Sequence, residues 1–226
     1  MDAMSSRARR TAASLTSYLA MRFPYPARAR TTLPGMRIFL AGASGVIGRR
    51  LVPLLVAAGH TVGGMTRSQA ARVASLGAEP IVCDVFDRAA VIEAVRAFAP
   101  DLILNELTDL PDDAARIAEH QARNGRIRTE GTGNLIAAAR QAGSPRLLSQ
   151  SIAWPAAPGP GADGVAALER ETLAYGGVVL RYGQFYGPGT FHEDAPPGPP
   201  QIAIEKAASR TVELLGAPAG VLEITD

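Results

Sequence analysis

Apolar residues from Met36 onward switch repeatedly between the spacing of a buried strand and the spacing of a helix. Short apolar runs bounded by glycine or polar residues are typical of buried strands, whereas apolar residues at every third or fourth position indicate helices. Strand patterns cover residues 37–41, 60–65, 80–83, 101–104, 146–149 and 178–181, with a further strand-like pattern at 220–225. Helix patterns cover residues 46–59, 69–76, 88–98, 113–142, 166–173 and 202–215.

The order of these elements predicts the fold class. Neighbouring parallel strands need a crossover connection, which is usually a helix, and a helix pattern separates nearly every pair of predicted strands. The chain is therefore predicted to form an α/β fold with a doubly wound parallel sheet of the Rossmann type, beginning at Met36.

Residues 1–35 differ in composition from the rest of the chain. They are rich in Arg, Ser, Thr and Ala, contain three prolines, and carry six arginines with a single aspartate. Three interpretations are open: an untranslated or dispensable leader ahead of a start at Met36, an organelle-type transit peptide, or a weak export signal. The apolar stretch at residues 11–21 is short and interrupted by polar residues, which favours the first interpretation.

The charge of the chain is unevenly distributed. The full sequence has 23 basic and 21 acidic residues, but the basic excess lies in residues 1–35, and the remainder carries more acidic than basic side chains. We therefore expect no nucleic-acid partner. No apolar run approaches the roughly 20 residues that a membrane-spanning helix needs, so no membrane association is expected either.

Cysteine and histidine usage limits the chemistry further. The single cysteine, Cys83, excludes an intramolecular disulfide and a cysteine-based zinc cluster, and the three histidines have no metal-ligand spacing. These features indicate a reducing, cytoplasmic location and no metal site. The expected partner is a small-molecule substrate, with a homodimer as a further possibility.

A glycine-rich loop, Gly42-Ala43-Ser44-Gly45-Val46-Ile47-Gly48, lies between the first predicted strand and the first predicted helix. In this context the spacing indicates a dinucleotide-binding loop, because glycines permit a tight turn, close approach of a pyrophosphate and close packing of the helix. Backbone N–H groups at the helix start then bind the anion. The alternative is an ordinary strand-to-helix turn. The loop residues expected to bind the cofactor are Gly42, Ser44, Gly45, Val46, Ile47 and Gly48.

The end of the second predicted strand indicates which dinucleotide is bound. An NAD site places an acidic residue there, about 20 residues after the loop, to bind the ribose 2′-hydroxyl. The segment Met65-Thr66-Arg67-Ser68 has no acid, and Arg67 is expected to bind a 2′-phosphate unless it is only a solvated side chain. NADP is therefore expected rather than NAD. Asp84, after the third strand, is placed to meet the adenine edge, although an aspartate there is often a turn former.

Several motifs give the chain a resemblance to a known family. They are the glycine loop, Cys83-Asp84-Val85, residues 128–135 (RTEGTGNL), Ser149-Gln150-Ser151, and residues 180–190 (LRYGQFYGPGT). With these motifs the chain resembles the extended and atypical short-chain dehydrogenase/reductases, the NAD(P)-dependent epimerase/dehydratase-like family, over about residues 36–190. The resemblance implies that Asp84 and Val85 bind the adenine side of the cofactor. It also implies that the loop after the sixth strand lies beside the nicotinamide, with Gly183, Phe185 and Tyr186.

The resemblance further implies a catalytic trio of Ser or Thr, Tyr, and a Lys four residues after the Tyr. The matching hydroxyl is Ser151, with Ser149 two residues before it, and both are candidate catalytic residues. No tyrosine has a lysine four residues on, because the only lysine is Lys206, and Arg128 stands where the family has Asn. The usual proton relay is therefore absent, and His192 or Tyr186 is the candidate replacement donor.

The C-terminal part of the sequence also departs from the family. After Thr190 the family normally has a long substrate-binding lobe, whereas residues 191–226 contain a Pro-rich stretch, one helix pattern and one strand-like pattern. We interpret residues 36–190 as the dinucleotide-binding domain and residues 191–226 as a remnant of the substrate-binding region. A reduced lobe predicts a more open site with weaker exclusion of water.

Two functions remain open at this point. The first is an NADP-dependent oxidoreductase or epimerase-like enzyme that acts on a small carbonyl or sugar-derived substrate. The second is a catalytically impaired dinucleotide-binding protein, either a redox sensor or a degenerate paralogue. The intact glycine loop favours the first, and the missing Tyr and Lys keep the second open.

Overall fold

The computed structural model describes residues 35–111 and 113–226, and its main feature is one large parallel sheet. The strands of the chain are β1 (Arg37–Ala41), β2 (Thr61–Thr66), β3 (Glu79–Val82), β4 (Leu102–Asn105), β5 (Arg146–Ile152), β6 (Val178–Tyr182), β7 (Gln184–Tyr186), β8 (Gln201–Ala203) and β9 (Gly220–Ile224). Seven of them pair in parallel in the order β3-β2-β1-β4-β5-β6-β9, whereas β7 and β8 form a separate two-stranded parallel sheet. The predicted doubly wound sheet is confirmed.

Helices cover both faces of the sheet. They are α1 (Gly48–Ala57), α2 (Ala70–Ser75), α3 (Arg88–Phe98), α4 (Ile117–Arg126), α5 (Thr132–Gln141), α6 (Pro160–Tyr175) and α7 (Ile204–Glu213). Side chains alternate along β1, so that Ile38 and Leu40 pack with α1 and α7, while Phe39 packs with α3 and α5 on the other face. Burial on both faces explains why the strands are continuous apolar runs rather than alternating ones.

The region predicted as one helix over residues 113–142 is interrupted. A short 3₁₀ turn (Ala114–Arg116) precedes α4, and a wide turn of π-helix, Ile127–Gly131, separates α4 from α5; we refer to this segment as the π-turn. Helix α4 packs on α6, where Gly164 lies so close to Gly125 that a Cβ on Gly164 would come within 2.6 Å of the Gly125 Cα. Helix α5 packs mainly on α3 and also contacts α6.

Residues 191–226 are integrated into the fold. The predicted helix over 202–215 begins as strand β8 and continues as α7, which packs on α1. Strand β9 pairs with β6, with Val178 opposite Gly220. Helix α6 starts at Pro160, ahead of the predicted start at residue 166, because proline is favoured in the first helical turn.

Two further points concern the extent of the chain. The predictions for residues 1–34 lie outside the described residues. Within the described residues, none of the helices combines the length and the apolar character that crossing a membrane would require.

Candidate functional site

The glycine loop joins β1 to α1 at the carboxyl edge of the sheet, next to the point where strand order reverses between β1 and β4. Gly42 has φ +92°, and a Cβ there would come within 2.7 Å of the Glu106 carbonyl oxygen. A Cβ on Gly48 would overlap the carbonyl oxygen of Gly42. Both positions therefore require glycine for backbone packing, as the predicted tight turn and close helix approach demand.

The start of α1 is suited to an anion. Its N-cap residue, Ile47, offers no side-chain hydrogen bond, and the first turn contains no acidic residue. The helix therefore presents its N-terminal dipole without a protein carboxylate in the first turn to neutralise it. The loop and the helix start together fit the diphosphate of a dinucleotide.

A cleft of about 130 Å³ opens beside this loop. The loops that follow β1, β2, β3 and β4 form its walls, and so it lies at the reversal of strand order, where doubly wound sheets bind ligands. Six of the predicted cofactor residues line it: Gly42, Ser44, Gly45, Arg67, Asp84 and Val85. Predicted residues Val46, Ile47 and Gly48 continue the same loop without lining the cleft.

Hydrogen bonds fix the wall formed by β2. The Ser44 and Thr66 hydroxyls lie 3.1 Å apart, and the Gln69 amide donates to the Thr66 hydroxyl at 3.2 Å. Arg67 follows directly and is exposed at the rim. Across the cleft, the Asp84 carboxylate accepts from the Phe86 amide at 3.0 Å, so it serves as a turn former as well as a wall residue.

Gly183 and Phe185 lie elsewhere. A Cβ on Gly183 would come within 2.6 Å of the Gln201 backbone, so this glycine permits close packing of β6 against β8. The Phe185 ring makes an edge contact with Tyr182, with 5.3 Å between ring centroids. Neither residue lines the cleft beside the glycine loop, and their proximity to a nicotinamide stays a prediction.

The two candidate catalytic serines are fully buried and bound to α6. The Ser151 hydroxyl donates to Glu169 at 2.6 Å, and the Ser149 hydroxyl accepts from Thr172 at 3.0 Å. Because the single proton of Ser151 is directed at Glu169, it does not point to a substrate oxygen in this arrangement. The catalytic role of both serines stays a prediction.

Glu169 is the centre of a charge cluster that the sequence did not reveal. Arg181 binds it with two hydrogen bonds, at 2.8 and 2.6 Å. Burial by itself would raise the pKa of Glu169, but the hydrogen bonds from Arg181 and Ser151, with the charges of Arg181 and Arg128, hold it below its usual value. Glu169 is therefore ionised at neutral pH and cannot act as a proton donor.

Arg128 extends this cluster from the π-turn. It is 3% exposed, donates to the Gln150 carbonyl at 3.3 Å, and leaves its Nε without a hydrogen-bond partner in the described structure. Burial lowers the pKa of Arg128 to about 10, although the charges of Glu169 and Glu106 act in the opposite direction. The sequence showed an arginine at the family's Asn position, but not that it is buried.

Glu106, immediately after β4, is the cleft residue that sequence reasoning missed. The residue is 3% exposed, and its Oε1 lies 3.2 Å from the Tyr182 hydroxyl. Burial raises the pKa of Glu106 to about 8, against the lowering effects of the Tyr182 hydrogen bond and the Arg128 charge. An acidic residue two positions after an apolar strand run was the available signal, since the carboxyl ends of parallel strands meet at one edge.

The candidate replacement donors and the only lysine lie outside the cleft. Lys206 pairs with Asp226 at 2.7 Å, and the Tyr186 hydroxyl donates to the same carboxylate at 2.9 Å. His192 lies next to Tyr186 through an isolated backbone bridge. None of these side chains lines the cleft.

Comparisons with known proteins agree with this geometry. Residues 38–160, more than half of the chain, match the model of the NAD dependent epimerase/dehydratase family. A Streptomyces protein named 3-diazoavenalumate denitrifying reductase is 41% identical over 178 residues, which are 69% of this chain and 58% of that protein. The chain thus matches little more than half the length of this relative.

Solved structures of similar fold include sugar-nucleotide epimerases. The UDP-glucose 4-epimerase of Thermus thermophilus, in complex with NAD, superposes with a TM-score of 0.70 at 22% identity, covering 84% of this chain and 78% of that one. The UDP-Glc/GlcNAc 4-epimerase of Campylobacter jejuni has the same TM-score at 14% identity, with the same coverage of each chain. At these identities the likeness concerns the fold alone. Taken with the family match and the glycine loop, the chain belongs to the NAD-dependent epimerase/dehydratase family.

Proposed function

We propose that the protein is a reductase that takes its hydride from NADPH in preference to NADH and acts on a small molecule. The observation that carries the proposal is the position of Arg67, which lines the cleft where β2 ends, in a segment with no carboxylate between Thr66 and Ala78. A guanidinium at this place is complementary to a 2′-phosphate. The name of the Streptomyces relative supports reduction as the direction of the reaction.

The cofactor preference is tested by calorimetry on a matched pair of variants. NADPH should bind at least about tenfold more tightly than NADH, which one charge-assisted contact can supply. Arg67→Ala should remove this preference. Arg72→Ala is the control, because Arg72 is an exposed arginine on the adjacent helix α2 and does not line the cleft. Equal affinity of the unaltered protein for both dinucleotides would contradict the proposal.

A small carbonyl or sugar-derived compound is the first candidate substrate class. Reduction of a carbonyl needs a hydride at carbon and a proton at oxygen, and a positioned general acid contributes about 10²–10⁴ in rate. The chain has no Tyr-x-x-x-Lys pair, and the Ser151 proton is donated to Glu169. Carbonyl reduction is therefore expected to be slow.

An aromatic diazo compound is the second candidate substrate, and the absence of a Tyr-x-x-x-Lys pair favours it. When a hydride replaces the diazo group, the carbon–nitrogen bond breaks with its electron pair on the departing N₂, and a carbon–hydrogen bond forms without uptake of a proton. Such a reaction needs no general acid from the protein. The relative's name, which contains both a diazo substrate and denitrification, supports this class.

A turnover assay separates these candidates from a binding protein without activity. NADPH oxidation is followed with aldehydes, ketones and an aryl diazonium salt, and release of N₂ is measured with the last. Faster oxidation with the diazonium salt than with carbonyl compounds, set against the same mixture without protein, supports the diazo class. NADPH binding with no oxidation by any acceptor would favour the alternative of a redox sensor or degenerate paralogue.

A further inference from the structure

Glu106 is a buried acidic residue that lines the proposed dinucleotide cleft. The Glu106 amide donates to the Ala41 carbonyl at 2.9 Å, and its own carbonyl oxygen blocks the space beside Gly42. Residue 106 therefore lies directly against the glycine loop. One of its carboxyl oxygens, Oε2, is buried and has no hydrogen-bond partner in the described structure.

The other oxygen belongs to a short chain of hydroxyl groups. Glu106 Oε1 lies 3.2 Å from the Tyr182 hydroxyl, which lies 2.6 Å from the Thr211 hydroxyl. Thr211 can donate to the Ala207 carbonyl at 2.8 Å. Tyr182 donates to Glu106 Oε1, and this bond favours the ionised carboxylate against the opposing effect of burial.

The charges around Glu106 do not compensate an ionised carboxylate fully. Tyr182 of β6, which is neutral, contacts the Glu106 carboxyl directly. Thr211 of α7, which is also neutral, lies behind it against the Tyr182 hydroxyl. Arg128 of the π-turn is a nearby cation, but its charge is shared with Glu169. The other titratable groups of the cleft are Arg67 at the rim and Cys83 and Asp84 after β3.

We propose that Glu106 is a proton-coupled residue of the dinucleotide site, neutral when a dinucleotide is bound, so that ionisation of Glu106 and binding of the cofactor oppose each other. The inference rests on the proposed dinucleotide binding. A diphosphate held at the glycine loop places negative charge beside residue 106, and a like charge disfavours ionisation of a neighbouring carboxyl. The pKa of Glu106, raised by burial to about 8, makes the effect accessible in the mildly alkaline range.

The test is calorimetric titration of the full chain with NADPH in two buffers of different ionisation enthalpy. At pH 8 about half of the free protein would carry an ionised Glu106, so binding should take up about half a proton. Affinity should fall about tenfold between pH 7 and pH 9. Binding without proton uptake and with less than about a twofold loss of affinity would overturn the role of Glu106. The absence of binding at every pH would overturn the dinucleotide assignment with it.

Three variants identify the titrating group. In Glu106→Gln the amide cannot titrate, so both the proton uptake at pH 8 and the fall in affinity between pH 7 and pH 9 should be lost. Cys83→Ser should keep the uptake, because Cys83 lines the same cleft but is not the group proposed to titrate. Tyr182→Phe should move the loss of affinity to higher pH, because the Tyr182 hydrogen bond lowers the pKa of Glu106. An unchanged proton uptake in Glu106→Gln would assign the proton to another group.

Discussion

Gly45 and Gly48 are sterically unequal although they belong to the same loop. A Cβ on Gly48 would overlap the Gly42 carbonyl oxygen, whereas a Cβ on Gly45 would meet only that oxygen, at 3.2 Å. The packing of the fold therefore requires glycine at position 48. Position 45 has fewer protein atoms around it and is open to a ligand.

This difference predicts opposite outcomes for two substitutions. Gly48→Ala should lower the free energy of unfolding by about 1–3 kcal/mol, because overpacking strains the backbone. Gly45→Val should leave the fold largely formed but abolish binding of NADPH, because its side chain occupies the diphosphate position. Denaturant unfolding and calorimetry measure the two effects. Normal NADPH binding by Gly45→Val would show that the loop is only a turn.

The raised pKa of the Glu106 carboxyl leads to a prediction of how the stability of the protein depends on pH. In the unfolded chain this carboxyl ionises near the ordinary pKa of 4.5, whereas the folded protein keeps it neutral until about pH 8. Between these values the folded state binds the extra proton, so stability should fall as the pH rises, by at most about 1.4 kcal/mol per pH unit. Glu106→Gln should flatten this decline in urea unfolding measured from pH 5 to pH 8. An identical slope in the variant would contradict the assigned pKa.

At the residue level, the sequence identified the glycine loop, Arg67 and Asp84 because each depends on local spacing along one strand and its following loop. It did not identify Glu106 or Arg128 as buried. Burial of a charged side chain depends on what packs over it, here β6 and α7 for Glu106 and β5 for Arg128. Those contacts join residues far apart in sequence, which no local pattern records.

One carboxylate of helix α6 binds two strands of the sheet. Glu169 connects the helix to β5 through Ser151 and to β6 through Arg181. Its side chain is 14% exposed, and that of Arg181 is 37% exposed. Removing the carboxylate therefore leaves a partly buried guanidinium and the deeper Arg128 without their negative partner.

Glu169→Ala should accordingly destabilise the protein by at least about 2 kcal/mol in urea unfolding. Glu171→Ala, two residues along the same helix, is the matched control. Glu171 pairs with its neighbour Arg170, whose side chain is 68% exposed, and such surface pairs contribute little. Equal losses of stability in the two variants would show that the Glu169 cluster has no special role.

At the level of elements, the sequence predicted the six strands of the main pattern and most helices, because the strands are short apolar runs and the helices have apolar residues at every third or fourth position. It did not predict the π-turn. The apolar period continues through residues 113–142 closely enough to indicate one helix, whereas in the structure α4 packs on α6 and α5 packs mainly on α3. The two-stranded sheet of β7 and β8 was missed as well, since three-residue strands are too short to show a period.

Over the whole molecule, residues 191–226 complete the core on one face of the sheet. Ile202, Ala207 and Ile224 are buried with residues of α1 and β6 in a single cluster. This segment therefore shares a core with the residues before position 190, and the predicted domain boundary there stays a prediction. The resemblance to the family indicated where the motifs end, but not that the following segment supplies a strand of the main sheet.

Truncation tests this integration. A chain ending at Thr190 should lose cooperative thermal unfolding, because it exposes the apolar residues of β6 and α1 that α7 and β9 cover. A chain ending at Thr225 should keep it, since it loses mainly the contacts of Asp226 with Lys206 and Tyr186. A sharp melting transition in the shorter chain would show that residues 36–190 fold independently.

The all-parallel main sheet also has a consequence for the folding reaction. No two neighbouring strands in it are joined by a hairpin: β1 pairs with β2 through Arg37 and Thr61, and with β4 through Ile38 and Leu102. Every strand pair must therefore close a long loop before its hydrogen bonds form, and proteins dominated by such distant contacts fold slowly. Strand β1, which lies between β2 and β4, takes part in two of these closures. Because loops after β1, β2 and β4 line the cleft, the cleft is complete only once both pairings are made.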